Sequence, residues 1–554
     1  MSGIVFLAHF LFFARFGLYE DDLIYVLPSL QWTWHDYCFS TQNLISHFVQ
    51  GRPLYYLFQY AFAYGGWRTG GLEAIHGISY ALVCLEALLS FLLLKRLFRP
   101  APAFVGALAL VLFPVDTSRQ FAMHQAALLL PMCILLAALR LFVAGRLTIA
   151  HLAAASLLFF YESYYLLFLV APLLAAVVRP VSRRTFLAHA GVWALVLLAV
   201  FGGRSVFHDP RAEETIGNFG MVLHRALTAP FIGFWNGFSH FFARPIDAWL
   251  HASFFEYSVM AVVAGAVLWG LRTCRSGVPA TDEGQREWLA FLAGIIAWMV
   301  PYLLAFRPDY YPPTTDIGRL TGVHAPAAFG AALLVAAGWH RLGRSTRPAF
   351  FGAPGFVAAL FVAGAAGFGV QVQLSEYVEQ WAKQRIFWTE VLNQIRDIQN
   401  GDAIFLELNT LDESAMPITK GFRGGALINE IYLLPYLIKW PTDLWHRPRL
   451  TAYWATSRFH DTAAGRVVHT PEWQPDLWTE VRDEHLIYFR ARHGRLERVA
   501  GPVAICGKTF IARAGPSADL NPLPRTGLFR HLFEPAPDQR WFSLRNAENY
   551  PLQP

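Results

Sequence analysis

The chain has 554 residues, of which 55% are hydrophobic and 15% charged, and its mean hydropathy is +0.35. These values are typical of polytopic membrane proteins and exclude an ordinary soluble protein. The net charge of +6 is divided among short clusters between apolar segments, so it does not indicate a nucleic-acid-binding surface. The five cysteines include no CxxC pair and no Cys/His zinc spacing, which argues against a disulfide framework or a zinc site.

The first apolar segment, residues 2–18, predicts a retained membrane helix, because no small-residue cleavage site precedes Tyr19. The sequence Tyr-Glu-Asp-Asp follows at residues 19–22. Carboxylates near hydrocarbon are costly, and segments that keep them usually serve a proton, a metal, a substrate or a paired cation. We therefore identify Asp21 and Asp22 as the strongest candidates for a general base. The alternative is a polar stop to the first helix, with Arg15 or Arg52 as its partner.

Residues 19–72 predict a long first outer loop. Its many aromatic residues and its Gly-Arg-Pro turn at residues 51–53 favour short helices that lie in the membrane interface. Arg52, in this turn, is a candidate for binding phosphate oxygens, because a planar guanidinium offers a donor fork that matches phosphate. The alternative role for Arg52 is snorkelling to lipid headgroups.

Hydropathy predicts about eleven membrane spans, and basic residues cluster after alternate ones. By the positive-inside rule these ends are cytoplasmic, which places the N-terminus inside and the residues after 371 outside. The inner loops are all short, whereas residues 204–255 predict a second long and aromatic outer loop. The predicted spans lie near residues 2–18, 74–94, 101–115, 121–143, 148–161, 163–178, 186–203, 256–271, 288–306, 324–340 and 349–370.

Acidic residues gather at the predicted outer ends of the spans. Asp116 follows the third span, and Glu162 lies in a tight turn between two apolar runs. Together with Asp21 and Asp22 they predict a carboxylate-bearing site for an acceptor hydroxyl or amine, or for a divalent cation. Two alternatives stay open: loops simply carry charge, and Asp116 caps the following helix.

Three further residues on the predicted outer side are candidates for binding a substrate. Arg319 lies between a Pro/Thr-rich loop and a helix and is a second candidate for phosphate, with headgroup snorkelling as its alternative. His124, beside the start of the fourth span, could assist, or it is a satisfied intramembrane histidine. Tyr310 could stack on a sugar or belong to an aromatic belt, and the belt is the preferred interpretation.

No cytoplasmic segment is long enough for a nucleotide-binding domain, and no GxxxxGK[ST] motif occurs. A group transfer on the outer face therefore needs a donor that arrives already activated, and a lipid-phosphate conjugate meets that need. From about residue 371 the composition changes. A helix at 375–400 and strand-like runs at 403–408, 486–490 and 503–506 predict a mixed α/β outer domain over residues 371–554.

In these features the chain resembles the integral-membrane glycosyltransferases of the GT-C superfamily. The resemblance covers residues 1–370, the predicted polytopic α-helical membrane domain. It rests on the aspartate motif after the first helix, the outer loop with its Gly-Arg-Pro turn, the acidic second outer turn and the late Gly318-Arg319 pair. A C-terminal outer domain also fits this superfamily.

The resemblance implies a polyprenyl-phosphate-linked sugar donor and inversion at the anomeric carbon. It implies that Asp21 or Asp22 activates the acceptor, that Asp116 supports it, and that Arg319 holds the lipid phosphate. No WWD-type motif of oligosaccharyltransferases is present, so protein N-glycosylation is not expected. The Asp-Asp doublet differs from the Asp-Glu of several members, so the use of a divalent cation stays open and no cofactor is assigned.

The leading hypothesis is therefore a glycosyltransferase of a bacterial inner membrane, acting on a cell-envelope glycan, lipid or protein, with membrane lipids around it and no nucleic-acid partner. The sugar and the acceptor are open. A transporter or flippase for a lipid-linked glycan is the second hypothesis, and it predicts polar residues through the full depth of the bilayer. An envelope scaffold is the third, and it leaves the buried acids unexplained.

Overall fold

The structure is a computed structural model, and its described residues exclude several segments. The described residues are 1–19, 22–46, 51–206, 219–274, 287–305, 313–316, 318–345, 353–399, 402–407, 449–453, 458–462, 465–469, 478–482, 485–492, 495–505, 507–516, 520–521 and 532. Two candidate site residues of the sequence analysis, Asp21 and Tyr310, lie outside them. By its internal contacts the chain divides into two units: Met1–Phe16 with Trp32–Ser375, and Gly17–Gln31 with Glu376–Pro554.

The first unit is helical, and it also holds most of the apolar sequence. In the whole chain the described helices are α1 (Ser2–Arg15), α2 (Asp22–Tyr25), α3 (Trp34–Ser46), α4 (Pro53–Leu97), α5 (Pro100–Val111), α6 (Gln125–Val143), α7 (Leu147–Phe159), α8 (Glu162–Val178), α9 (Arg183–Val206), α10 (Phe219–His251), α11 (Phe254–Thr273), α12 (Glu287–Leu304), α13 (Arg319–Leu342), α14 (Ala353–Val372) and α15 (Glu379–Gln394). Short 3-10 or π turns lie within or beside several of them.

Seven of the described helices are long and apolar enough to cross a membrane. They are α4, α6, α9, α11, α12, α13 and the helix Pro354–Ala382 that contains α14. Four shorter apolar helices, α1, α5, α7 and α8, correspond to other predicted spans. The chain is thus a mostly helical protein with several potential membrane helices, whereas the count of eleven spans stays a prediction.

Two local devices shape the first predicted outer loop. Helix α3 begins with a reciprocal cap, in which the Thr33 main-chain N–H donates to Asp36 Oδ2 (2.8 Å) and the Asp36 N–H donates to Thr33 Oγ1 (3.2 Å). Helix α4 is interrupted at Gly70 and Gly71, and Gly71 has a φ of +68°, which favours glycine. The second part of α4 coincides with the predicted span at 74–94.

Glycines allow the helices of the first unit to approach closely. A Cβ at Gly106 of α5 would lie 2.8 Å from Ala336 Cβ of α13. On the other side of α13, a Cβ at Gly330 would overlap the main chain of Trp298 and lie 2.7 Å from Gly294 O, both in α12. Small residues at helix interfaces are the usual means of packing helices within a membrane.

The second unit contains two described sheets. The larger has the strand order β2-β1-β6-β9-β8, with β7 also paired to β6, and β1 runs parallel to both β2 and β6. The smaller is antiparallel, β3-β4-β5. The strands are β1 (Ala403–Glu407), β2 (Arg449–Tyr453), β3 (Arg458–Thr462), β4 (Gly465–His469), β5 (Trp478–Val481), β6 (Leu486–Arg492), β7 (Arg495–Val499), β8 (Gly501–Ile505) and β9 (Lys508–Ala512). Helix α15 and strands β1, β6 and β8 lie where the sequence predicts them.

An ion-pair network joins the end of α15 to this sheet. Arg498 of β7 donates to both carboxylate oxygens of Asp397 (2.6 and 2.8 Å), and Arg513, just after β9, donates to Asp397 Oδ2 (3.0 Å). Arg513 also binds both oxygens of Asp402, which precedes β1. Bidentate pairs of this kind combine strength with a fixed geometry, so Asp397 anchors the helix end.

Burial by itself would raise the pKa of the Asp397 carboxyl, but the hydrogen bonds and charge of Arg498, followed by the charge of Arg513, outweigh it and hold that pKa below its usual range. A lowered pKa means that the folded state binds the proton more weakly than the unfolded state. The contribution of Asp397 to stability is therefore complete above the ordinary aspartate pKa, and it is lost as the pH falls through the lower pKa of the folded state.

We expect Asp397→Asn to weaken the attachment of α15 to the sheet by roughly 1–3 kcal/mol, because the nearly buried Arg498 keeps its charge and loses its counter-ion. Hydrogen exchange of the full chain at neutral pH should show a lower opening free energy for the amides of β7 and β9. Asp461→Asn, the same change at an exposed position of β3, is the control. Equal exchange in the two variants would contradict the anchoring role.

Candidate functional site

Asp22, one of the two candidate bases, is fully buried at the start of the short helix α2. The main-chain N–H of Tyr19 donates to Asp22 Oδ2 (3.2 Å), and the N–H of Asp22 donates to the Tyr19 carbonyl (2.9 Å). The carboxylate thus closes its own turn. This contact is with the main chain and not with an arginine, and both the polar stop and the role as a base stay predictions.

The segment that carries Asp22 is packed within the second unit through Tyr19. The Tyr19 hydroxyl donates to the Tyr377 carbonyl (3.0 Å) and accepts from the Gly17 N–H (2.8 Å), and its ring contacts those of Tyr377 and Trp381. A Cβ at Gly17 would overlap the Trp381 indole, so only glycine fits there. Burial raises the pKa of the Tyr19 hydroxyl well above its usual value, despite the hydrogen bond from Gly17, so the group stays protonated.

Asp116 lies in a buried, irregular segment, residues 112–124, that joins α5 to α6. Asp116 Oδ1 accepts hydrogen bonds from the N–H (2.9 Å) and the hydroxyl (2.6 Å) of Ser118. Since α6 begins only at Gln125, Asp116 caps its own turn and not the following helix. Irregular backbone between apolar helices is tolerated only where the protein or water satisfies its polar groups. The segment therefore depends on side chains from other helices.

Arg119 and Glu86 form a buried ion pair beside Asp116. Arg119 Nη1 donates to Glu86 Oε2 (3.1 Å), Arg119 Nε lies 3.6 Å from Asp116 Oδ2, and Arg119 Nη2 donates to the Leu110 carbonyl (2.9 Å). All three charged side chains are at most 3% exposed. The sequence analysis missed Arg119 and Glu86, although a carboxylate inside an apolar span was a signal for Glu86. One guanidinium thus bridges two carboxylates and the end of α5.

The start of α13 packs directly on the Asp116 segment. The Gly318 N–H donates to Thr117 Oγ1 (3.1 Å), and the Thr117 N–H donates to Thr321 Oγ1 (3.0 Å). Gly318 has a φ of +76°, which lets the chain turn sharply into Arg319. Arg319 itself is buried, at 8% exposure. The structure thus brings the predicted phosphate-binding arginine next to the predicted supporting aspartate.

His124 belongs to the same region. Its Nδ1 lies 2.8 Å from the Ser118 carbonyl, and its ring is buried within electrostatic range of Arg319. These contacts are those of a satisfied histidine, and they also place it beside two other candidates. Asp116, His124 and Arg319 therefore share one region of the first unit.

Arg244 of α10, which the sequence analysis also missed, ties two of the predicted outer segments together. Its Nη1 donates to the Pro114 carbonyl (2.6 Å), and its Nη2 donates to the Asp316 carbonyl. The guanidinium also lies over the Phe368 ring, 5.0 Å from its centroid. Its hydrogen-bond partners are main-chain groups far away in sequence, so no local sequence pattern predicts that Arg244 connects these segments.

Arg52 and Glu162, both predicted to bind substrate, bind each other. Arg52 Nε and Nη2 donate to the two oxygens of Glu162 at 3.3 and 2.7 Å, and the guanidinium lies over the Tyr161 ring. The side chains are 18% and 7% exposed. A bidentate pair occupies two of the arginine donors, so a phosphate at Arg52 would have to share or displace Glu162.

Two buried amides near the Asp116 segment have oxygens with no protein partner among the described residues, Gln120 Oε1 and Gln125 Oε1. The Gln125 amide nitrogen, in contrast, donates to the Ile75 carbonyl and to Ser79 Oγ. A buried acceptor without a donor costs about 1–3 kcal/mol unless water or a ligand supplies one. The interior of this region is therefore suited to a bound water or a polar ligand that donates hydrogen bonds.

The described residues include a cavity but no group of side chains placed to hold a metal ion. Within the described residues, no three His, Cys, Asp or Glu side chains are placed to hold a metal ion, so the question of a divalent cation stays open. A cavity of about 580 Å³ lies between α1 and α11, with Phe6, Phe104 and Trp269 in its lining. Its lining includes no candidate acid or arginine, so it is not the site described here.

Comparison with known proteins gives no relative for this chain. No family model matches it, and searches of curated proteins and of solved structures find no match. Only the residues and contacts of the chain itself support the function proposed below.

We expect Arg119→Met to destabilise the protein by about 3–5 kcal/mol, because it leaves two carboxylates buried without their cation. The double variant Glu86→Gln/Arg119→Met should recover part of this loss, which thermal unfolding in detergent would measure. Arg146→Met, at an exposed arginine, is the control for loss of positive charge. If the double variant is as unstable as the sum of the two single variants, the ion pair is not coupled.

Proposed function

We propose that this protein is a membrane glycosyltransferase that moves a sugar from a polyprenyl-phosphate donor to an acceptor on the outer face, with inversion. The observation that carries the proposal is the convergence of the Asp116 segment, the start of α13 and Arg244 of α10. These segments come from three predicted outer loops, and they bring an acid and two arginines into one polar region. Such a set suits in-line displacement of a phosphate-linked sugar.

In the proposed reaction an acceptor oxygen attacks the anomeric carbon and forms the new glycosidic bond. The bond from that carbon to the phosphate oxygen breaks, and the lipid phosphate leaves with the electron pair. Asp21 or Asp22 takes the proton of the acceptor. Arg319 stabilises the leaving phosphate, and a guanidinium suits this role because it keeps its charge and binds two oxygens.

The other candidates have supporting roles in this proposal. Asp116 and Arg119 hold the irregular segment in shape, and His124, its last residue, lies beside the start of α13. Arg52 and Glu162 form a pair that can open to admit a substrate oxygen, and Tyr310 offers a ring for a sugar face. We also propose the eleven-span topology, with the N-terminus cytoplasmic and the second unit outside a bacterial inner membrane.

A transporter or flippase for a lipid-linked glycan is the second candidate, and one observation favours it. The Glu86–Arg119 pair involves a residue in the middle of the second part of α4, far from either end of that helix. Ionisable groups at such depth are a common feature of translocation pathways. The candidate acids and arginines would then line the path of the lipid-linked glycan.

Purified protein in liposomes, given a polyprenyl-phosphate donor with a labelled sugar and an envelope extract as acceptor, separates the two functions. Glycosyl transfer releases lipid phosphate and moves the label to the acceptor. Flipping leaves the donor intact but exposes it on the opposite leaflet. If no lipid phosphate is released, whichever face of the protein meets the donor, the proposal of a glycosyltransferase is contradicted.

We expect Asp21→Asn or Asp22→Asn to lower the rate of sugar transfer by about 100- to 10,000-fold, because an amide keeps the size of the side chain but cannot take the proton. The matched control is Asp36→Asn in the same loop, where the carboxylate caps α3. The release of lipid phosphate measures the rate, and size-exclusion chromatography checks folding. Rates within a few-fold of wild type in both doublet variants would discard the assignment of the base.

We expect an impermeant maleimide to label the exposed Cys38 of the first loop from the outer face of intact cells. In a background without native cysteines, Thr509→Cys of the second unit should be labelled, whereas Arg146→Cys and Arg183→Cys should stay protected until the membrane is opened. Detection by mass shift measures the labelling. The reverse pattern would overturn the orientation and the lipid-linked donor with it.

A further inference from the structure

Helix α10 differs from what the sequence predicts for its region. The analysis of hydropathy places residues 204–255 in an outer loop, yet Phe219–His251 form one helix of 33 residues. At 1.5 Å per residue, its length is about 50 Å. It is not among the seven helices that qualify as membrane spans by length and apolar composition. Its surroundings must therefore be inferred from its two faces.

One face of α10 is a continuous exposed stripe of large apolar side chains. They recur every three or four residues, which places them on one side of the helix, and each is at least 40% exposed. The stripe comprises Leu227, Phe231, Trp235, Phe238, Phe242 and Ile246. An apolar surface of this extent needs a nonpolar environment, since monomeric soluble surfaces rarely carry one so large.

The opposite face of α10 packs on α12 through glycines. A Cβ at Gly233 would lie 2.5 Å from ring carbons of Tyr302, and a Cβ at Gly237 would lie 3.0 Å from Trp298 Nε1. Tyr302 and Trp298 both lie inside the apolar window Glu287–Leu304, not beyond its ends. This face of α10 is therefore at the depth of a potential membrane helix.

Helix α10 also packs against α14. Trp249 Nε1 donates to the Leu360 carbonyl (3.0 Å), and a Cβ at Gly364 would lie 2.5 Å from the Pro245 carbonyl oxygen. Leu360 and Gly364 lie inside the apolar window Pro354–Ala382. Two independent neighbours thus place α10 beside membrane-length helices.

We propose that α10 is embedded in the membrane as a helix that does not cross it, so the eleven-span topology is kept, and that its stripe binds the hydrocarbon chains of lipids. A helix whose inner face packs against the apolar windows of membrane helices has its outer face at the same depth, where the available partner is lipid. Hydropathy averages misjudge α10 because its inner face carries glycines, polar groups and Arg244. The partner is the bulk lipid, whatever reaction the protein catalyses.

The polar end of α10 marks where this contact stops. Asp247 and His251 form an exposed pair (3.2 Å), with side chains 72% and 70% exposed. Exposed ionisable groups of this kind are costly in hydrocarbon, so this part of the surface lies at the level of water and lipid headgroups. Asp247 directly follows Ile246, the last residue of the stripe, and lies about three turns beyond Trp235. The environment of α10 therefore changes at this end of the stripe.

Nitroxide labels on the full-length protein in lipid nanodiscs test the proposal. In a background without native cysteines, Leu227→Cys, Phe231→Cys and Trp235→Cys should give labels that collide often with oxygen and rarely with a water-soluble nickel complex. The label at Asp247→Cys, the matched control on the same helix, should show the opposite preference. This pattern would support lipid contact independently of any glycosyl transfer.

Two results would overturn the proposal. Nickel accessibility along the stripe equal to that at Asp247 would place α10 in water, and low accessibility to both reagents would mean that protein, such as a second copy of the chain, covers the stripe. Should the cysteine-free background lose its fold, a benzophenone amino acid at Phe231 in the otherwise native chain decides instead. A lipid adduct supports the proposal, and a protein adduct or no adduct overturns it.

Discussion

The irregular segment between α5 and α6 sets the main constraint on the first unit, because its main chain must be satisfied without regular structure in a buried place. Arg119, within the segment, reaches the end of α5. Side chains from distant parts of the sequence reach the segment: Arg244 donates to the Pro114 carbonyl, and Thr321 accepts from the Thr117 N–H. Each of these bonds also fixes the position of another helix. The packing of α4, α10 and α13 thus follows from the hydrogen bonds of one segment.

The need to satisfy the irregular segment explains why the charged side chain of Arg119 is kept in a buried place. Arg119 donates to the Leu110 carbonyl and to Glu86 and lies within ion-pair distance of Asp116, so removing either carboxylate would leave the guanidinium under-compensated. A buried ion pair is rarely the most stable solution, since apolar residues of similar size often serve equally well. The buried ion pair is consistent with a region that must present polar atoms to a bound polar ligand. The side-chain oxygens of Gln120 and Gln125 are examples of such atoms.

The sequence predicts the membrane class and the C-terminal strands, because each depends on a local pattern of hydropathy or turn residues. The sequence also places Asp116, His124 and Arg319 on the same predicted side of the membrane, since each lies near the end of an apolar run. Arg244 could not be predicted, because its partners are carbonyl groups 130 and 72 positions away. Helix α10 was missed for a different reason: its apolar stripe is diluted by its glycine-rich inner face.

The packing of Tyr19 has a consequence for the order in which the chain acquires its structure. Its hydroxyl binds a carbonyl 358 positions later, and the ring of Trp381 fills the space above Gly17. Synthesis proceeds from the N-terminus, so the segment with Asp22 is made among the first residues. Its partners Tyr377 and Trp381 are made only when well over half of the chain exists. A contact this distant in sequence carries a large loop-closure entropy, so it forms late. The proposed base therefore reaches its final position only after about two thirds of the 554 residues have been made, and shortened chains that end before Tyr377 cannot hold it there.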